Sequence, residues 1–462
     1  MKFAFILNHT QFYRHFDNTI RILCGRGHSV DVVIQWVMKP NLTDRVLQTA
    51  QAEVSAVAFE RPLSRHDTWG GILRPSRELI NYSKYFHPEH PSKNLAGRWK
   101  KYFNGAAWNL LEKKWVILLL TSRPVQFILR FIERIAPPVN IISAWMKEHK
   151  PDLVIVSPLI SAHSMELEYL KAAKALNIPS VYALASWDNL TTKGTLHILP
   201  DLVFVWNQML LEEAVTLHGV PRERIVVTGS PTFDYWFETK PSISRDEFCR
   251  NAGFGAEKQY VVYLCSSRGM IEDETRFILE LASQMKDEPG TCDVMLLVRP
   301  HPYNMLALDV LNRDNICVFP SQGDLPDVSE AKQIYFDTLH YAMAAAGVNT
   351  SAMLEAAIAD KPCVTIIDER YRRSQTDMGH FRHLINGGFL QVTYSYPEAV
   401  KAINAIRNGQ DPLKDHRRLF VKNFIRPQGV DRNVSKLFAV AAEMAAQRKT
   451  AAEIMDVISS EK

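Results

Sequence analysis

The amino-acid sequence predicts an α/β protein made of two doubly wound domains that face each other across a cleft. The chain has 462 residues, which is more than one hydrophobic core usually serves. Short apolar segments alternate with amphipathic ones in two separate series, as in parallel sheets covered by helices. Between the two series, Pro231, Pro241, Ser242 and Ser244 are typical of a linker between domains.

The first series defines an N-terminal domain over residues 1–240. Strands are predicted at Phe3–Leu7, Ser29–Ile34, Leu153–Ser157, Ser180–Ala183, Leu202–Trp206 and Ile225–Thr228. Helices are predicted at Asp17–Cys24, Ser164–Leu176 and Met209–His218. Each helix follows a strand, which is the order of a βαβ unit and therefore predicts a parallel sheet.

The second series defines a domain over residues 241–395. Strands are predicted at Tyr260–Cys265, Val294–Val298, Cys317–Phe319, Cys363–Ile367 and Leu390–Val392. A further strand is predicted to end at Gly347–Val348. Helices are predicted at Glu274–Lys286, Leu339–Ala345 and Met353–Ala359. Residues 396–462 are expected to form helices that brace both domains.

A helical insertion is predicted within the N-terminal domain, at about residues 62–150. Its central part, Arg98–Arg134, is rich in basic and aromatic residues, and its only acids are Glu112 and Glu133. Basic amphipathic helices with aromatic side chains are typical of contact with an anionic membrane surface. Packing of these helices on the N-terminal sheet and binding of a protein partner are the alternatives.

The composition excludes several classes of protein. A net charge of only +4 gives no reason to expect a nucleic-acid partner. The six cysteines are scattered without metal-ligand spacing, so neither a zinc site nor disulfides are expected. The sequence contains no run of about eighteen apolar residues, so no membrane-spanning helix is predicted. We therefore expect a cytoplasmic protein, with peripheral binding to the inner face of the cell membrane as an open alternative.

Two segments of the second domain predict a pocket for a phosphorylated, hydroxyl-rich ligand. Arg299 and His301 end a buried-type strand, and prolines on both sides of His301 fix its direction. Thr350 and Ser351 precede an Ala-rich helix that carries Glu355 one turn later. A guanidinium, an imidazole and a helix N-terminus all favour phosphate, which points to a nucleotide-sugar enzyme. A solvated strand end and ordinary helix capping are the structural alternatives.

Two further loops follow strands of the same predicted sheet. Ser266, Ser267 and Arg268 follow the first strand of the domain, where they would form a second loop for phosphate. Asp368 and Glu369 follow a later strand, where they would contact the donor sugar. For each loop, a polar surface turn is the alternative.

Three segments resemble the GT-B class of glycosyltransferases and their relatives. Gly25-Arg26-Gly27-His28-Ser29-Val30 resembles the turn into the second strand of many GT-B enzymes. The segment 219–234 resembles the end of the N-terminal domain in UDP-N-acetylglucosamine 2-epimerases. Arg299-Pro300-His301-Pro302 is similar to an element of CDP-glycerol glycerophosphotransferases and of bacterial sialyl- and Kdo-transferases. The chain departs from the epimerases at Asn349-Thr350-Ser351, where they have Ser-Gly-Gly.

The resemblance implies a donor site on the C-terminal domain and an acceptor site on the N-terminal one. An inverting transfer needs a general base for the acceptor hydroxyl. Asp188 is a candidate, since its loop lies where the epimerases have His-Val-Glu-Ala-Gly, and Trp187, Asn189 and Lys193 of that loop would contact acceptor or sugar. His9, at the end of the first strand, and Asp17 are the other candidates for the base. An Asx turn at Asp188 and a helix cap at Asp17 are the structural alternatives.

The resulting hypothesis is a glycosyltransferase that takes a sugar from a nucleotide-sugar donor to a surface-glycan or lipid-linked acceptor. No acidic metal-binding motif follows a predicted strand, so neither a metal nor another cofactor is expected. The alternatives are a sugar-nucleotide 2-epimerase, a CDP-glycerol-type glycerophosphotransferase and a non-catalytic glycan-binding protein.

Overall fold

The computed structural model describes residues 1–36, 53–54, 56–88, 90, 92–302, 311, 313–321 and 329–460. The chain forms two compact units. Unit 1 contains Met1–Asp234 and Phe424–Lys462, and unit 2 contains Tyr235–Asn423. The chain thus leaves unit 1 near the predicted linker and returns to it within the segment that was expected to form the C-terminal helices.

Unit 1 is built on a parallel sheet of seven strands in the order β3-β2-β1-β4-β5-β6-β7. The strands are β1 (Lys2–His9), β2 (Ser29–Trp36), β3 (Val57–Glu60), β4 (Leu153–Ser157), β5 (Ser180–Ala183), β6 (Leu202–Val205) and β7 (Ile225–Val227). The strand order reverses direction between β1 and β4, and ligands of such sheets bind at this reversal, beyond the carboxyl ends of the strands.

Helices cover both faces of this sheet. Those outside the insertion are Thr10–Gly25, Glu166–Ala175, Asn189–Thr192, Gln208–His218, Val434–Ala446 and Ala451–Ser460. Phe5 of β1, Phe16 of the first helix and Phe438 of the C-terminal helix share one buried core. The last two helices are therefore part of the core of unit 1.

The insertion is helical, as predicted. Its helices are Thr68–Lys84, the 3-10 helix Lys93–Tyr102, Gly105–Leu111, Lys114–Thr121, Arg123–Ile135 and Asn140–His149. No single helix in the described ranges has the length and apolar character needed to cross a membrane. Lys114–Thr121 and Arg123–Ile135 reach that length and composition only together, as a pair bent by 61°.

Unit 2 is built on a parallel sheet of six strands in the order β10-β9-β8-β11-β12-β13. The strands are β8 (Tyr260–Leu264), β9 (Met295–Arg299), β10 (Ile316–Val318), β11 (Ala344–Ala346), β12 (Cys363–Ile366) and β13 (Leu390–Thr393). Its α-helices are Asp234–Glu238, which begins at the junction with unit 1, Arg245–Ala252, Thr275–Asp287, Ser329–Tyr341, Ala352–Ile358, Phe381–Asn386, Tyr396–Arg407 and Lys414–Phe420. The strand order reverses between β8 and β11, so the candidate ligand site of this unit lies where these two strands end.

Two local predictions were wrong, and one strand was missed. The helix expected at Leu339–Ala345 ends at Tyr341, and Ala344–Ala346 forms β11. These alanines pair with both β8 and β12 and are buried, so pairing within the sheet overrides the helix propensity of alanine. The first helix begins at Thr10, so Asp17 is not its cap. Strand β3 was not predicted, since its four residues carry little periodic signal.

The two points where the chain passes between the units are held together within unit 1. The carboxylate of Asp234 lies 2.6 Å from the guanidinium of Arg426, and both side chains are buried. Asp234 also accepts hydrogen bonds from the backbone N–H groups of Val434 and Ser435. The outgoing and returning segments therefore share one buried ion pair.

Candidate functional site

In unit 2, Arg299 and Glu355 lie in one side-chain cluster. Arg299 is the last residue of β9 and is buried. Its guanidinium lies 4.1 Å from the centre of the Tyr335 ring, and the Tyr335 hydroxyl donates a hydrogen bond to the Glu355 carboxylate. The aromatic face favours the cation, so Tyr335 orients a positive group and a carboxylate at the carboxyl edge of the sheet. Sequence patterns did not indicate Tyr335, which lies on a helix far along the chain.

The loop after β8 is supported by a buried acid, Glu274. One carboxylate oxygen of Glu274 accepts from the backbone N–H of Ser266 at 2.6 Å, and the other accepts from the hydroxyls of Ser266 and Tyr263. Burial raises the pKa of Glu274 to about 7, although these hydrogen bonds oppose the rise. Glu274 stands directly before the helix Thr275–Asp287, and its side chain supports the loop after β8.

The three predicted residues of this loop have different surroundings. Ser266 is buried and held by Glu274, and the carbonyl of Ser267 accepts the N–H groups that close the turn. The Arg268 side chain is exposed and lies 3.8 Å from Glu272. Phosphate binding by this loop stays a prediction.

The loop between β11 and the helix Ala352–Ile358 is anchored from within the unit. The Asn349 side chain contacts the carbonyl of Ser374 and the ring of His380, and Gln375 donates to the carbonyl of Val348. The Thr350 hydroxyl accepts from the N–H of Ala352. Ser351 occupies the N-cap position, but it is exposed and its side chain makes no cap hydrogen bond, and phosphate binding by Thr350 and Ser351 stays a prediction.

Gly347, at the end of β11, allows two strand ends to approach closely. A Cβ atom at this position would lie 2.9 Å from the carbonyl oxygen of Leu264. We expect Gly347→Ala to lower the free energy of unfolding by about 1–3 kcal/mol, because the backbone must shift to relieve this overlap. Denaturant titration measures the effect. Gly269→Ala is the matched control, since a Cβ there meets nothing within 4 Å, and equal losses for both variants would contradict the prediction.

His301 and the acids after β12 also lie at the carboxyl edge of the second sheet. His301 is half-buried, and its backbone hydrogen-bonds to the Cys265 thiol, which joins the ends of β8 and β9. Asp368 accepts from the N–H of Arg370 and pairs with its guanidinium, which lowers the pKa of Asp368. Glu369 is exposed and pairs with Arg372. Both acids therefore belong to surface ion pairs, and sugar contact stays a prediction.

In unit 1, His9 lies at the end of β1. Its ring lies 4.3 Å from that of Phe12. Burial, together with the charges of Lys193 and Arg14, lowers the pKa of His9 to about 4. Within the described part of the chain, its Nδ1 has no hydrogen-bond partner. His9 is therefore a neutral imidazole at physiological pH and lies near Lys193, another predicted site residue.

Asp188 is held by hydroxyl groups of its own loop. One carboxylate oxygen accepts from Ser186 at 2.6 Å, and the other accepts from Thr192 at 2.8 Å. Trp187 and Asn189 are buried on either side of it, and the Asn189 side chain accepts from the N–H of Ser186. The loop is thus ordered by local hydrogen bonds and leaves Asp188 half-buried.

Asp17 lies apart from these groups. It is on the second turn of the helix Thr10–Gly25, 3.0 Å from Arg21. A helix rises about 1.5 Å per residue, so Asp17 lies roughly 12 Å along the helix from His9. Its contacts describe an ion pair on a helix.

A buried carboxyl group, Glu166, was missed at the reversal point of the first sheet. It accepts a hydrogen bond from Ser164 at 2.6 Å and another from Asn8 of β1. Burial raises its pKa to about 7. Acids are common in the first turn of a helix, so its position in the sequence did not distinguish it.

The raised pKa of Glu166 predicts a pH-dependent stability. A raised folded-state pKa means that Glu166 contributes stability below pH 4.5, which is lost as the pH rises through about 7. Glu166→Gln should therefore gain about 1–3 kcal/mol relative to the unmodified protein between about pH 5 and pH 8. Denaturant titrations across this range test it, and a difference that does not change with pH would contradict it. Exposed Glu223 provides the control, as Glu223→Gln.

One group of potential metal ligands occurs among the described residues. Asp31, Glu60 and His149 lie close enough to share an ion. Asp31 already lies 3.0 Å from the Lys2 ammonium and 2.8 Å from His149. Asp31 and His149 are therefore also members of an ion-paired network with Lys2.

Comparison with known proteins identifies the fold. No family model and no curated protein matches the chain. Among solved structures, a UDP-GlcNAc 2-epimerase from Neisseria meningitidis bound to UDP-GlcNAc is similar, with a TM-score of 0.54, 12% identity and coverage of 97% of this chain and 100% of that chain. S. aureus MnaA in a structure with UDP is similar with a TM-score of 0.54 and 14% identity, and the match covers 96% of this chain and 97% of that chain. A glycosyltransferase from Rickettsia africae is similar with a TM-score of 0.52 and 10% identity, and the match covers 100% of this chain and 99% of that chain. The chain therefore has the GT-B fold.

Proposed function

We propose that this protein is a glycosyltransferase that moves a sugar from a nucleotide-activated donor to a surface-glycan or lipid-linked acceptor. The observation that carries the proposal is the buried Arg299 at the end of β9, stacked on Tyr335 beside Glu355. A desolvated guanidinium at the carboxyl edge of a doubly wound sheet, one strand away from the reversal point, is well suited to a nucleotide diphosphate. The similar structures solved with UDP or UDP-GlcNAc support the same class of donor.

In the proposed reaction, a base in unit 1 removes the proton from the acceptor hydroxyl. The acceptor oxygen then bonds to the anomeric carbon of the sugar, and the bond from that carbon to the nucleotide phosphate breaks. Arg299 stabilises the negative charge that develops on the phosphate, and Glu355 would accept hydrogen bonds from donor hydroxyls. Asp188 is the base in this proposal and neutral His9 is the alternative, whereas Asp17 has the least support because it pairs with Arg21.

We further propose that the reaction needs no metal and takes place in the cytoplasm, at the inner face of the cell membrane. The guanidinium of Arg299 takes the part that a metal ion plays in other phosphate sites. Activity that survives excess EDTA is the expected result. Loss of activity in EDTA, with recovery on adding Mg²⁺ or Mn²⁺, would overturn this part of the proposal.

A panel of nucleotides tests the donor class. UDP, GDP, CDP and CMP are added separately, and thermal unfolding is followed. A bound nucleotide should stabilise the protein by about 2.7 kcal/mol at a hundredfold excess over its Kd. If the protein is folded and none of these nucleotides stabilises it, the proposal is wrong.

The 2-epimerase is the second candidate function, since several similar structures are 2-epimerases. NMR of a nucleotide sugar incubated with the protein alone distinguishes the two. Inversion at C2 without any acceptor would establish the epimerase, whereas release of free nucleotide only with an acceptor supports the transferase. Consumption of CDP-glycerol would establish the glycerophosphotransferase instead.

A further inference from the structure

The helix Arg123–Ile135 has its polarity reversed relative to a normal surface helix. Its only buried residue is an acid, Glu133. Its large apolar side chains face outward: Phe127 is 68% exposed, and Ile128, Phe131 and Ile135 are about half exposed. A helix of a water-exposed domain normally buries its apolar stripe, so this face requires an apolar partner.

The preceding helix, Lys114–Thr121, extends the same kind of surface. Trp115 is 61% exposed and Leu118 is 71% exposed, and Leu119 is also exposed. The two helices follow each other with only Ser122 between them. Together they present a run of apolar side chains that we call the outer apolar face, formed by Trp115, Leu118, Leu119, Phe127, Ile128, Phe131 and Ile135.

The charges around the outer apolar face are almost all positive. Exposed bases on and next to the two helices are Lys100, Lys101, Lys113, Lys114, Arg123, Arg130 and Arg134. Glu112 is the one exposed acid between residues 98 and 135, since Glu133 is buried. Apolar side chains with bases at their borders complement an anionic bilayer, whose headgroups attract the bases while its hydrocarbon edge accepts the apolar groups.

A buried ion network fixes the reversed helix in this orientation. The guanidinium of Arg77, on the helix Thr68–Lys84, lies 2.6 Å from Glu133, and the ammonium of Lys171 lies 3.0 Å from it. Arg77 also lies 2.7 Å from Glu168. The acid cannot rotate outward without taking its carboxylate away from the buried Lys171 and the largely enclosed Arg77, which would keep only Glu168, so the apolar side chains are held outward.

We propose that the outer apolar face docks unit 1 on the surface of an anionic phospholipid bilayer. The docking depends on lipid and not on nucleotide, so it stands or falls separately from the proposed reaction. The helix Thr68–Lys84 also contacts the loop of the candidate acceptor site, since Lys84 donates to the carbonyl of Gly194 and Tyr85, just beyond it, donates to that of Lys193. If the proposed function holds, this connection places the acceptor loop close to the membrane, which suits a lipid-linked acceptor.

Vesicle flotation without detergent or nucleotide tests the docking. Vesicles of phosphatidylcholine, with and without phosphatidylglycerol, are mixed with the full-length protein and floated on a density gradient. The protein should float with the anionic vesicles only. Leu118→Ser combined with Phe127→Ser should reduce the floated fraction about tenfold, and Arg123→Gln combined with Arg130→Gln and Arg134→Gln should remove the preference for anionic lipid.

Tyr394→Ser combined with Leu419→Ser is the matched control, because these large side chains are also exposed, by 72% and 53%, on unit 2. This variant should float like the unmodified protein. Melting temperatures check that every variant is folded. Failure of the unmodified protein to float, or equal flotation of the Leu118/Phe127 variant, would overturn the proposal. A third outcome would also overturn it: light scattering shows a dimer that the Leu118/Phe127 variant does not form, and no form of the protein binds vesicles. The outer apolar face would then join two copies of the protein.

Discussion

Replacing Arg299 by methionine is expected to abolish thermal stabilisation by nucleotides and to lower kcat/KM by about a hundred- to a thousandfold. Methionine keeps an unbranched apolar stem over Tyr335 but lacks the charged donors that a leaving phosphate needs, and removing one such group from a desolvated site typically costs this much. Nucleotide titration by thermal shift and steady-state kinetics measure the two effects. Loss of the cation–π contact should itself cost about 0.5–2 kcal/mol of stability.

Two further variants separate phosphate binding from folding. Arg276 is exposed and pairs with Glu280 on the same unit, so Arg276→Met should leave nucleotide stabilisation unchanged. Tyr335→Phe keeps the ring beside the guanidinium but removes the hydroxyl bound to Glu355, and a smaller loss is expected. If Arg299→Met bound nucleotides as tightly as the unmodified protein, the donor site would have to lie elsewhere.

Glu133→Ala is expected to lower the free energy of unfolding of unit 1 by about 3–5 kcal/mol, because it removes the carboxylate that the buried Lys171 shares with Arg77 and leaves Arg77 with Glu168 alone. Denaturant titration followed by tryptophan fluorescence measures this, since Trp99, Trp108 and Trp115 lie in the insertion. The exposed neighbour offers the control: Arg134→Ala should change stability by no more than about 0.5 kcal/mol. A loss at Glu133 no larger than that at Arg134 would show that the network contributes little.

Acid should reproduce part of the effect of Glu133→Ala. Burial acts to raise the pKa of Glu133, but hydrogen bonds and charges from Arg77 and Lys171 outweigh it and lower this pKa to about 2. A lowered folded-state pKa means that the stabilisation is present above pH 4.5, the ordinary value, and is lost as the pH falls towards 2. The stability difference between the protein and Glu133→Ala should therefore shrink across this range.

Much of the fold was predictable because strand and helix periods alternate clearly. Strands β4 and β5 were predicted with correct ends, and the parallel order follows from the helices between the strands. Strand β11 was not predictable in this way, because its three alanines favour a helix locally but are buried in a sheet. Only the pairing partners on both sides decide such a segment, and they are distant in the sequence.

The candidate site was predicted in part. Arg299 and Glu355 are both predicted from the sequence, and the structure brings them to one cluster through Tyr335, while their roles stay predictions. Tyr335 could not be found from the sequence, because a tyrosine on an amphipathic helix gives no sign of the strand end that it reaches. Glu166 and Glu274 were missed for a related reason, since both look like ordinary acids at helix starts and only their burial distinguishes them.

The polarity of the insertion shows the same limit of sequence patterns. A helical period of apolar and charged residues in Arg123–Ile135 predicts an amphipathic helix, but it does not say which face turns inward. That choice depends on Arg77 and Lys171, which lie far away in the sequence and neutralise Glu133.

The ion pair between Asp234 and Arg426 has a consequence for protein engineering. Because the outgoing and returning segments meet at one buried contact, unit 2 is topologically a cassette inserted between two neighbouring points of unit 1. A short glycine–serine bridge from residue 234 to residue 424 should therefore yield a shortened gene product that folds alone. Such a product would allow unit 1 to be combined with other inserted units without redesigning its core.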